Sequence, residues 1–464
     1  QIKWISIYRR ICGGTNIFIL IESLLALTQK FALIKNDTCL IGSFDSITGL
    51  ISALCLNLPM GFLFFQRFSI PQKTIFLIGK AITCFTIAVY ESRTGIICIT
   101  LTLFYLIYCN KGVKKIKLAL FLASIIFVCT FCFKIPSTKG RWFIIERSLE
   151  MIKEHPFLGW GSNGFKENYM NIQAEFFSFH PESNNVLLAD NIHHPINEFI
   201  QIAVDYGIPL LVLVCFFLFT AIIHSVRFKR PSSLEGSCIL ATLSIWAFFS
   251  YPFSYPFTWV MLVLSLILIY SNTLNQFLQN KNIFILMRFA ILILVIFCVK
   301  PLVTEIAKQT QWKTISRLSL TNYPKGTDII KMYEELYPHF SNNYNFLYDY
   351  ACVAYDNKKY EKALKLAQEA KKHIADYDVE MLIADTYNSM HNNHKALSVY
   401  WHAHNMCPSR IAPYYESYKI YRNQNDTIRC LELYAMMKKR GVKVKNVLTE
   451  SMFYEVEKDI KQLQ

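Results

Sequence analysis

Hydrophobic residues dominate the first 300 positions of the chain, in runs long enough to cross a membrane. A helix needs about 20 apolar residues to span about 30 Å of hydrocarbon, and only closed backbone hydrogen bonding is stable there. The pattern therefore predicts about nine membrane-spanning helices. They are expected near residues 14–34, 43–65, 73–90, 94–110, 116–134, 207–226, 237–251, 255–271 and 283–300.

Two parts of the chain depart from this pattern. Residues 136–206 form one long polar segment between predicted spans, and charged residues are about twice as frequent after residue 300 as before it. The predicted fold class is all-α: a polytopic membrane helical bundle followed by a soluble helical-repeat domain. The expected divisions are residues 1–135 (spans 1–5), 136–206 (a large loop), 207–300 (spans 6–9) and 301–464 (repeats).

The C-terminal part contains a repeated pattern. Residues 351–370 recur about 33 residues later as 384–403, and a weaker third copy runs through 418–435. Small residues in helix pairs of this period resemble tetratricopeptide repeats. A stack of such pairs forms a concave surface suited to a protein partner, with residues 304–340 as a capping unit.

Basic residues in alternate short loops predict the orientation. The positive-inside rule places these loops, and the N-terminus, in the cytoplasm. Nine spans then place residues 136–206 and 301–464 on the other side. The chain begins with Gln rather than Met, so processing or missing upstream sequence is expected. The basic residues are Lys3, Arg9, Arg10, Arg67, Lys73, Lys111, Lys114, Lys115, Lys117, Arg227, Lys229, Arg230 and Lys281.

Several classes of protein lose support from composition. The formal charge of +15 is concentrated in loops between spans, which argues against a nucleic-acid-binding face. Most of the 14 cysteines fall in apolar segments, so no disulfide or zinc scaffold is expected. The string G-x-G-x-x-G at 159–164 follows a predicted helix rather than a strand, which predicts a tight turn under Trp160 instead of a dinucleotide site. The four histidines within 391–404 lack further ligands, so neither a metal nor a cofactor is expected.

Two helices are expected in the polar segment. Apolar residues at 142, 145, 149 and 152 have helical spacing, which predicts an amphipathic helix over 140–152. Pro195 suits a first helical turn. A second helix is therefore expected from Pro195, with a polar face formed by Asn197, Glu198, Gln201 and Asp205.

Three segments, in order, resemble the O-antigen ligase and polymerase superfamily. They are Ser92-Arg93, then Arg141 ahead of His-Pro-Phe-Leu-Gly-Trp-Gly at 155–161, then the His/Asn/Glu/Gly block at 193–207. Family members commonly read His-x-His-Asn, whereas Ile196 stands in place of the second His. The resemblance implies a metal-independent inverting glycosyltransferase of the bacterial inner membrane, with its catalytic loop and repeats in the periplasm. It implies a donor glycan on undecaprenyl pyrophosphate, as in lipopolysaccharide biosynthesis.

The donor carries a pyrophosphate, whose charge must be neutralised as it leaves. Guanidinium groups bind phosphate oxygens bidentately without a metal. Arg93 and Arg141 are the candidates, with Arg147 third. Two of them also have a structural interpretation. Arg93 could be a membrane-interface anchor, and Arg147 could pair with Glu146 or Glu150 or face solvent.

The acceptor hydroxyl must lose a proton, and an imidazole can accept it near neutral pH. His194 is the predicted catalytic base, with helix capping as its structural alternative. His193 is expected to orient the acceptor, and Asn197 and Gln201 to hydrogen-bond sugar or phosphate. The repeats are expected to be dispensable for the chemistry and to influence the choice of acceptor.

Three functions remain open from sequence. A ligase would transfer the glycan to a lipid A-core or to protein hydroxyls, and a periplasmic protein partner is expected on the repeats. A polymerase would join repeat units on the lipid carrier. A non-catalytic membrane anchor would present the repeats to partners, but an anchor needs no polar His/Asn/Gln face.

Overall fold

The computed structural model describes residues 2–31, 41–109, 135–271, 281–320, 328–440, 443 and 445–463. Within these ranges the chain is helical, apart from connections and one isolated bridge between Ile41 and Phe44. Two 3-10 helices occupy Phe62–Arg67 and Pro252–Ser254. The α-helices are α1 (Ile2–Lys30), α2 (Ile47–Asn57), α3 (Ile70–Val89), α4 (Arg93–Cys109), α5 (Ile135–Glu154), α6 (Gly164–Phe179), α7 (Glu198–Tyr206), α8 (Ile208–Phe228), α9 (Pro231–Phe249), α10 (Pro256–Ile269), α11 (Lys281–Ser319), α12 (Ile329–Phe340), α13 (Tyr344–Asp356), α14 (Tyr360–Lys371), α15 (Tyr377–Ser389), α16 (Asn393–Met406), α17 (Ala412–Asn423), α18 (Thr427–Arg440) and α19 (Val447–Leu463).

The chain divides into two compact units. The first comprises residues 1–138, 195–203 and 208–290, and the second comprises 139–194, 204–207 and 291–464. Most of the polar segment, residues 139–194 and 204–206, therefore falls in the same unit as the C-terminal helices.

Four helices among the described residues have the length and apolar composition to cross a membrane. Three shorter apolar helices, Ile47–Asn57, Arg93–Leu106 and Pro256–Ile269, accompany them. The predicted span 116–134, with Lys111, Lys114, Lys115 and Lys117, lies outside the described residues, and the count of nine stays a prediction. The four long helices are Ile7–Lys30, Ile70–Val89, Ile208–Phe228 and Pro231–Phe249.

The segment predicted as one span over 43–65 is not a continuous helix. α2 ends at Asn57, and a turn then leads into the 3-10 helix at Phe62–Arg67. Pro59 has no N–H for a helical hydrogen bond, and Gly61 has a φ of 93°, which ends a right-handed helix. The predicted pair 237–251 and 255–271 does form two helices, α9 and α10, separated by the 3-10 helix Pro252–Ser254.

The C-terminal helices of the second unit form successive pairs. The pairs α13–α14, α15–α16 and α17–α18 begin 33 to 35 residues apart. Small side chains where neighbouring helices pack are fully buried, among them Ala351, Ala363 and Ala396. Because small residues let helices approach closely, the repeated spacing has a packing cause. The resemblance to tetratricopeptide repeats stays a prediction.

The polar segment packs on these helices. α6 lies against α16, and the fully buried Gln173 of α6 donates hydrogen bonds to the carbonyl oxygens of Met406 (2.6 Å) and Asp190 (3.0 Å). A small core of Phe143, Phe177 and Ala189 joins α5, α6 and the segment that follows. The loop is therefore built on the C-terminal helices.

The helix predicted over 140–152 forms within α5, but its buried face differs from the predicted stripe. Trp142 and Leu149 are exposed, whereas Phe143, Ser148 and Met151 are buried. Ser148 fits in the core because its hydroxyl donates to the carbonyl of Ile144 at 2.7 Å. The hydrophobic pattern therefore predicted the helix correctly but not the face that the helix buries.

Candidate functional site

The Pro-Phe-Leu-Gly-Trp-Gly string forms a turn held by the backbone at the end of α7. The amide of Trp160 donates to the carbonyl of Val204 at 2.8 Å, and that of Gly161 donates to the carbonyl of Asp205 at 2.9 Å. Gly159 and Gly161 both have positive φ, as the predicted tight turn requires. Two sequence segments more than 40 residues apart thus form one local structure.

Two glycines are needed where these segments meet. A Cβ on Gly159 would lie 2.5 Å from the backbone of Asp205, and one on Gly207 would overlap the carbonyl oxygen of Phe157. Both residues also have a φ that disfavours side chains, 67° and 86°. The glycines of both motifs therefore allow the close approach of two backbones.

Asp205 fixes the same turn through its side chain. Its Oδ1 accepts a hydrogen bond from the amide of Phe165 at 2.9 Å, at the start of α6. The indole of Trp160 donates to the carbonyl of Met151 at 2.9 Å and packs against the ring of His155. The turn is thereby tied to α5, α6 and the end of α7.

His193 is held by a carboxylate from the repeat region. Its Nε2 lies 2.7 Å from Oδ2 of Asp376, which also accepts from Nδ2 of Asn191 at 2.7 Å. Oδ1 of Asp376 caps α15 by accepting from the amides of Asp378 and Val379. Burial alone would raise the pKa of Asp376, but the hydrogen bonds from His193 and Asn191 hold that pKa below its usual value.

Asp190, three residues before His193, is also held by side chains of the C-terminal part of the chain. Asp190 lies 2.9 Å from Nζ of Lys443 and 3.3 Å from the guanidinium of Arg410. Burial raises the pKa of Asp190, yet the hydrogen bond from Lys443 lowers it below the ordinary value. The segment leading to His194 is therefore bound to the C-terminal helices by charge.

The helix predicted from Pro195 begins three residues later, at Glu198. Ile196 has a φ of 57°, so the chain cannot be helical there, and Oδ1 of Asn197 caps α7 by accepting from the amides of Phe199 (2.9 Å) and Ile200 (3.1 Å). The prediction of a helix starting at Pro195 was wrong for this reason. His194 precedes the helix, half-buried, and Gln201 is half-buried within it.

The three predicted arginines have different surroundings. Arg93 is the first residue of α4, where Ser92 Oγ accepts from the amide of Gly95 at 3.1 Å; both residues belong to the first unit. Arg141 is exposed on α5 in the second unit. Arg147 is largely buried, 2.9 Å from Glu150 and over the ring of Phe176 at 4.1 Å.

The Arg147 contacts match its structural interpretation as a partner of Glu150. A guanidinium that stacks on an aromatic ring and pairs with a carboxylate is already satisfied in part. Arg141 is exposed on the same helix.

Sequence reasoning missed the residues that hold the loop from the repeat region. Asp376 precedes a helix and could be assigned as an N-cap, but its contact with His193 joins positions 183 residues apart. No local pattern reports such a contact. Within the described residues, no group of three or more His, Cys, Asp or Glu side chains is arranged to hold a metal ion.

Comparison with known proteins places part of the chain in context. No curated protein matches the sequence. Residues 78–215 match the family model described as O-antigen ligase, which covers less than a third of the chain. The matched range contains the turn at 155–164, the block at 193–207 and Arg93. This similarity supports a membrane glycosyltransferase of the ligase or polymerase type.

Proposed function

We propose that the chain is a metal-independent, inverting glycosyltransferase that transfers a glycan from undecaprenyl pyrophosphate to an acceptor hydroxyl in the periplasm. The observation that carries the proposal is the docking of the turn 155–164 on residues 204–207. Both segments carry the family resemblance, and both lie within the matched range. A membrane anchor would need no such shaped loop.

The reaction is a single displacement at the anomeric carbon. The acceptor oxygen forms a bond to that carbon as the bond to the phosphate oxygen breaks, which inverts the configuration. Undecaprenyl pyrophosphate leaves with the bonding electrons. His194 accepts the hydroxyl proton, since a neutral imidazole is a suitable base near pH 7.

The arginines stabilise the leaving pyrophosphate. Arg93 begins a helix, and the partial positive charge of a helix N-terminus adds to that of its guanidinium. Arg141 offers an exposed guanidinium for bidentate contact. Arg147 has the smaller role of the three, because Glu150 already pairs with it.

The remaining predicted residues position the substrates. The Asp376 carboxylate restrains the ring of His193, and the restrained imidazole orients the acceptor. The Oδ1 atom of Asn197 is used by the helix cap, so its amide N–H groups serve as donors to sugar or phosphate. Gln201 lies one turn further along the same helix.

The acceptor is a lipid A-core or a protein hydroxyl, and the C-terminal helices contribute to that choice through a periplasmic partner. Deletion of the gene in its host tests this, with electrophoresis of lipopolysaccharide and of glycoproteins in parallel. The deletion is complemented with wild type, His194→Ala and, as a matched control, His180→Ala, whose exposed side chain contacts its own helix.

Restoration by wild type and His180→Ala but not by His194→Ala supports the proposal. Loss of polysaccharide from lipid A-core identifies a lipid acceptor, and a mobility shift of glycoproteins identifies a protein acceptor. Shortened polysaccharide that is still attached to its acceptor would identify a polymerase. Unchanged profiles in the deletion strain would refute transferase activity.

A further inference from the structure

A cavity of about 420 Å³ lies within the first unit, among α1, α3 and the 3-10 helix at Phe62–Arg67. Its wall is mostly apolar. Among the described residues that line it, the charged ones are Arg9 and Lys80, both positive. We propose that this cavity binds an anionic phospholipid, with its phosphate between Arg9 and Lys80 and the start of an acyl chain along the apolar wall.

Lys80 supplies a buried positive charge in the cavity. The residue is only 8% exposed, and its ammonium donates to the backbone carbonyl (2.5 Å) and the Oδ1 (2.9 Å) of Asn57. An ammonium has three N–H donors, so these two contacts leave one for a ligand. Because both acceptors are neutral, an anion beside Lys80 would offset part of the cost of burying its charge.

A buried carboxylate nearby does not replace this ligand. Glu235 is fully buried and balances part of the Lys80 charge, but it does not line the cavity. Its oxygens accept hydrogen bonds from the hydroxyl of Tyr8 and from the amides of Gly61 (2.9 Å) and Leu63 (2.8 Å). Glu235 thus stabilises the 3-10 helix, and Arg9 adds a positive charge at the cavity that this carboxylate does not contact.

The shape of the cavity fits a chain-bearing ligand. Gly13 and Gly79 line it from α1 and α3, and a Cβ at either position would meet no atom within 4 Å. Ile17 and Ile75 also line it and are exposed, so the cavity opens sideways between two helices that have membrane-spanning length. An inorganic phosphate would leave this apolar wall uncovered, whereas a lipid tail would pack along it.

The predicted orientation places the Arg9 end at the cytoplasmic surface, where anionic lipids attract basic residues. The charge and the apolar opening therefore select the same class of ligand. This proposal is independent of the transferase reaction, because it concerns binding in the first unit alone.

The test measures lipid binding to the full chain in detergent. Native mass spectrometry counts bound phosphatidylglycerol, with phosphatidylcholine as the neutral comparison. Gly79→Leu fills the cavity and Arg9→Gln removes its accessible charge. The matched controls are Gly14→Leu and Arg10→Gln, since neither residue lines the cavity and Gly14 is equally open.

We expect wild type and both controls to retain phosphatidylglycerol in preference to phosphatidylcholine. Gly79→Leu and Arg9→Gln should each lower phosphatidylglycerol affinity at least fivefold. Equal retention of the two lipids, or equal binding by Gly79→Leu and Gly14→Leu, would overturn the proposal. Displacement by an isoprenyl phosphate at lower concentration than by phosphatidylglycerol would overturn the assignment to a phospholipid.

Discussion

Replacing Asp376 with Asn tests whether the repeat region positions the histidine pair. In the structure, Oδ1 of Asp376 caps α15, and Oδ2 accepts from His193 and Asn191. An Asn side chain keeps the capping oxygen and presents an NH2 group where an acceptor is required. Asp376→Asn therefore removes the contact to the loop and preserves the helix start.

The expected magnitude follows from these two hydrogen bonds. A hydrogen bond to a charged group contributes about 1.5–3 kcal/mol, but the side chain of His193 is a third exposed, so solvent screening reduces its share. A loss of about 2 kcal/mol for the pair corresponds to roughly 30-fold in the ordering equilibrium of the segment. Donor binding should change little, because Asp376 positions His193, and His193 is expected to orient the acceptor rather than the donor.

Hydrogen exchange of the amides at 190–194, together with transferase rate in membrane vesicles, measures this effect. The matched control is Asp378→Asn, whose carboxylate pairs with Arg410 and makes no hydrogen bond to His193 in the described structure. We expect Asp376→Asn to lower amide protection about 10- to 30-fold and to slow transfer. Equal protection in the two variants would show that the carboxylate does not hold the loop.

The same contact has a defined pH dependence. An ordinary Asp has a pKa of about 3.9, and the pKa of Asp376 is lowered in the fold. Its stabilising contribution is thus fully present above about pH 4 and is lost as the pH falls through the lower folded value. Asp376→Asn should reduce this acid-induced loosening of residues 190–194, and the remaining pH dependence should come from Asp190, whose pKa is also lowered.

Substitutions at four further positions give separate tests. Burial raises the pKa of Asp385 to about 6, so its ionised form destabilises the fold at higher pH. Asp385→Asn can still accept a hydrogen bond from Tyr400 and should stabilise the α15–α16 pair by about 2–3 kcal/mol at pH 8, but negligibly below pH 4. Hydrogen exchange measures the difference. Gly207→Ala forces a Cβ onto the carbonyl oxygen of Phe157 at a positive φ, so we expect the free energy of unfolding to fall by more than about 2 kcal/mol, measured by thermal unfolding. Unchanged stability would contradict the docking of the two motifs. Arg141→Ala should lose most transfer activity and Arg141→Lys should recover part of it, and full activity in both would place the pyrophosphate elsewhere. His194→Ala should slow transfer about 10²- to 10⁴-fold at neutral pH with donor binding retained, and a fully active variant would exclude it as the base.

Helical periodicity predicted most elements of this chain because it reports local hydrogen bonding. The helix over 140–152 and the spacing of the C-terminal pairs could be predicted from residue patterns alone. The face that α5 buries could not, because Phe143 packs against Phe177 of another helix rather than along the apolar stripe. Burial depends on neighbours that the pattern does not name.

The candidate site, too, could be predicted from sequence only in part. The glycine turn was predictable, since Gly159 and Gly161 in one short string indicate positive φ. The start of α7 was not, because Ile196 adopts a backbone conformation that its residue type rarely takes, and Asn197 caps a helix that begins at Glu198. Contacts across 183 residues, such as that of His193, lie beyond any local signal.

The contacts of the loop also change how the C-terminal helices should be understood. The sequence predicts that the repeats are dispensable for the chemistry. In the structure, however, the buried Gln173 donates to the carbonyls of Asp190 and Met406, and Asp376 holds His193. Removing everything after Pro301 would take the Met406 carbonyl from Gln173 and the Asp376 carboxylate from His193, and a polar group that loses its partner costs stability. Loss of activity on truncation would thus report loss of loop structure, whereas substitutions on the exposed surface of the repeats would report acceptor choice.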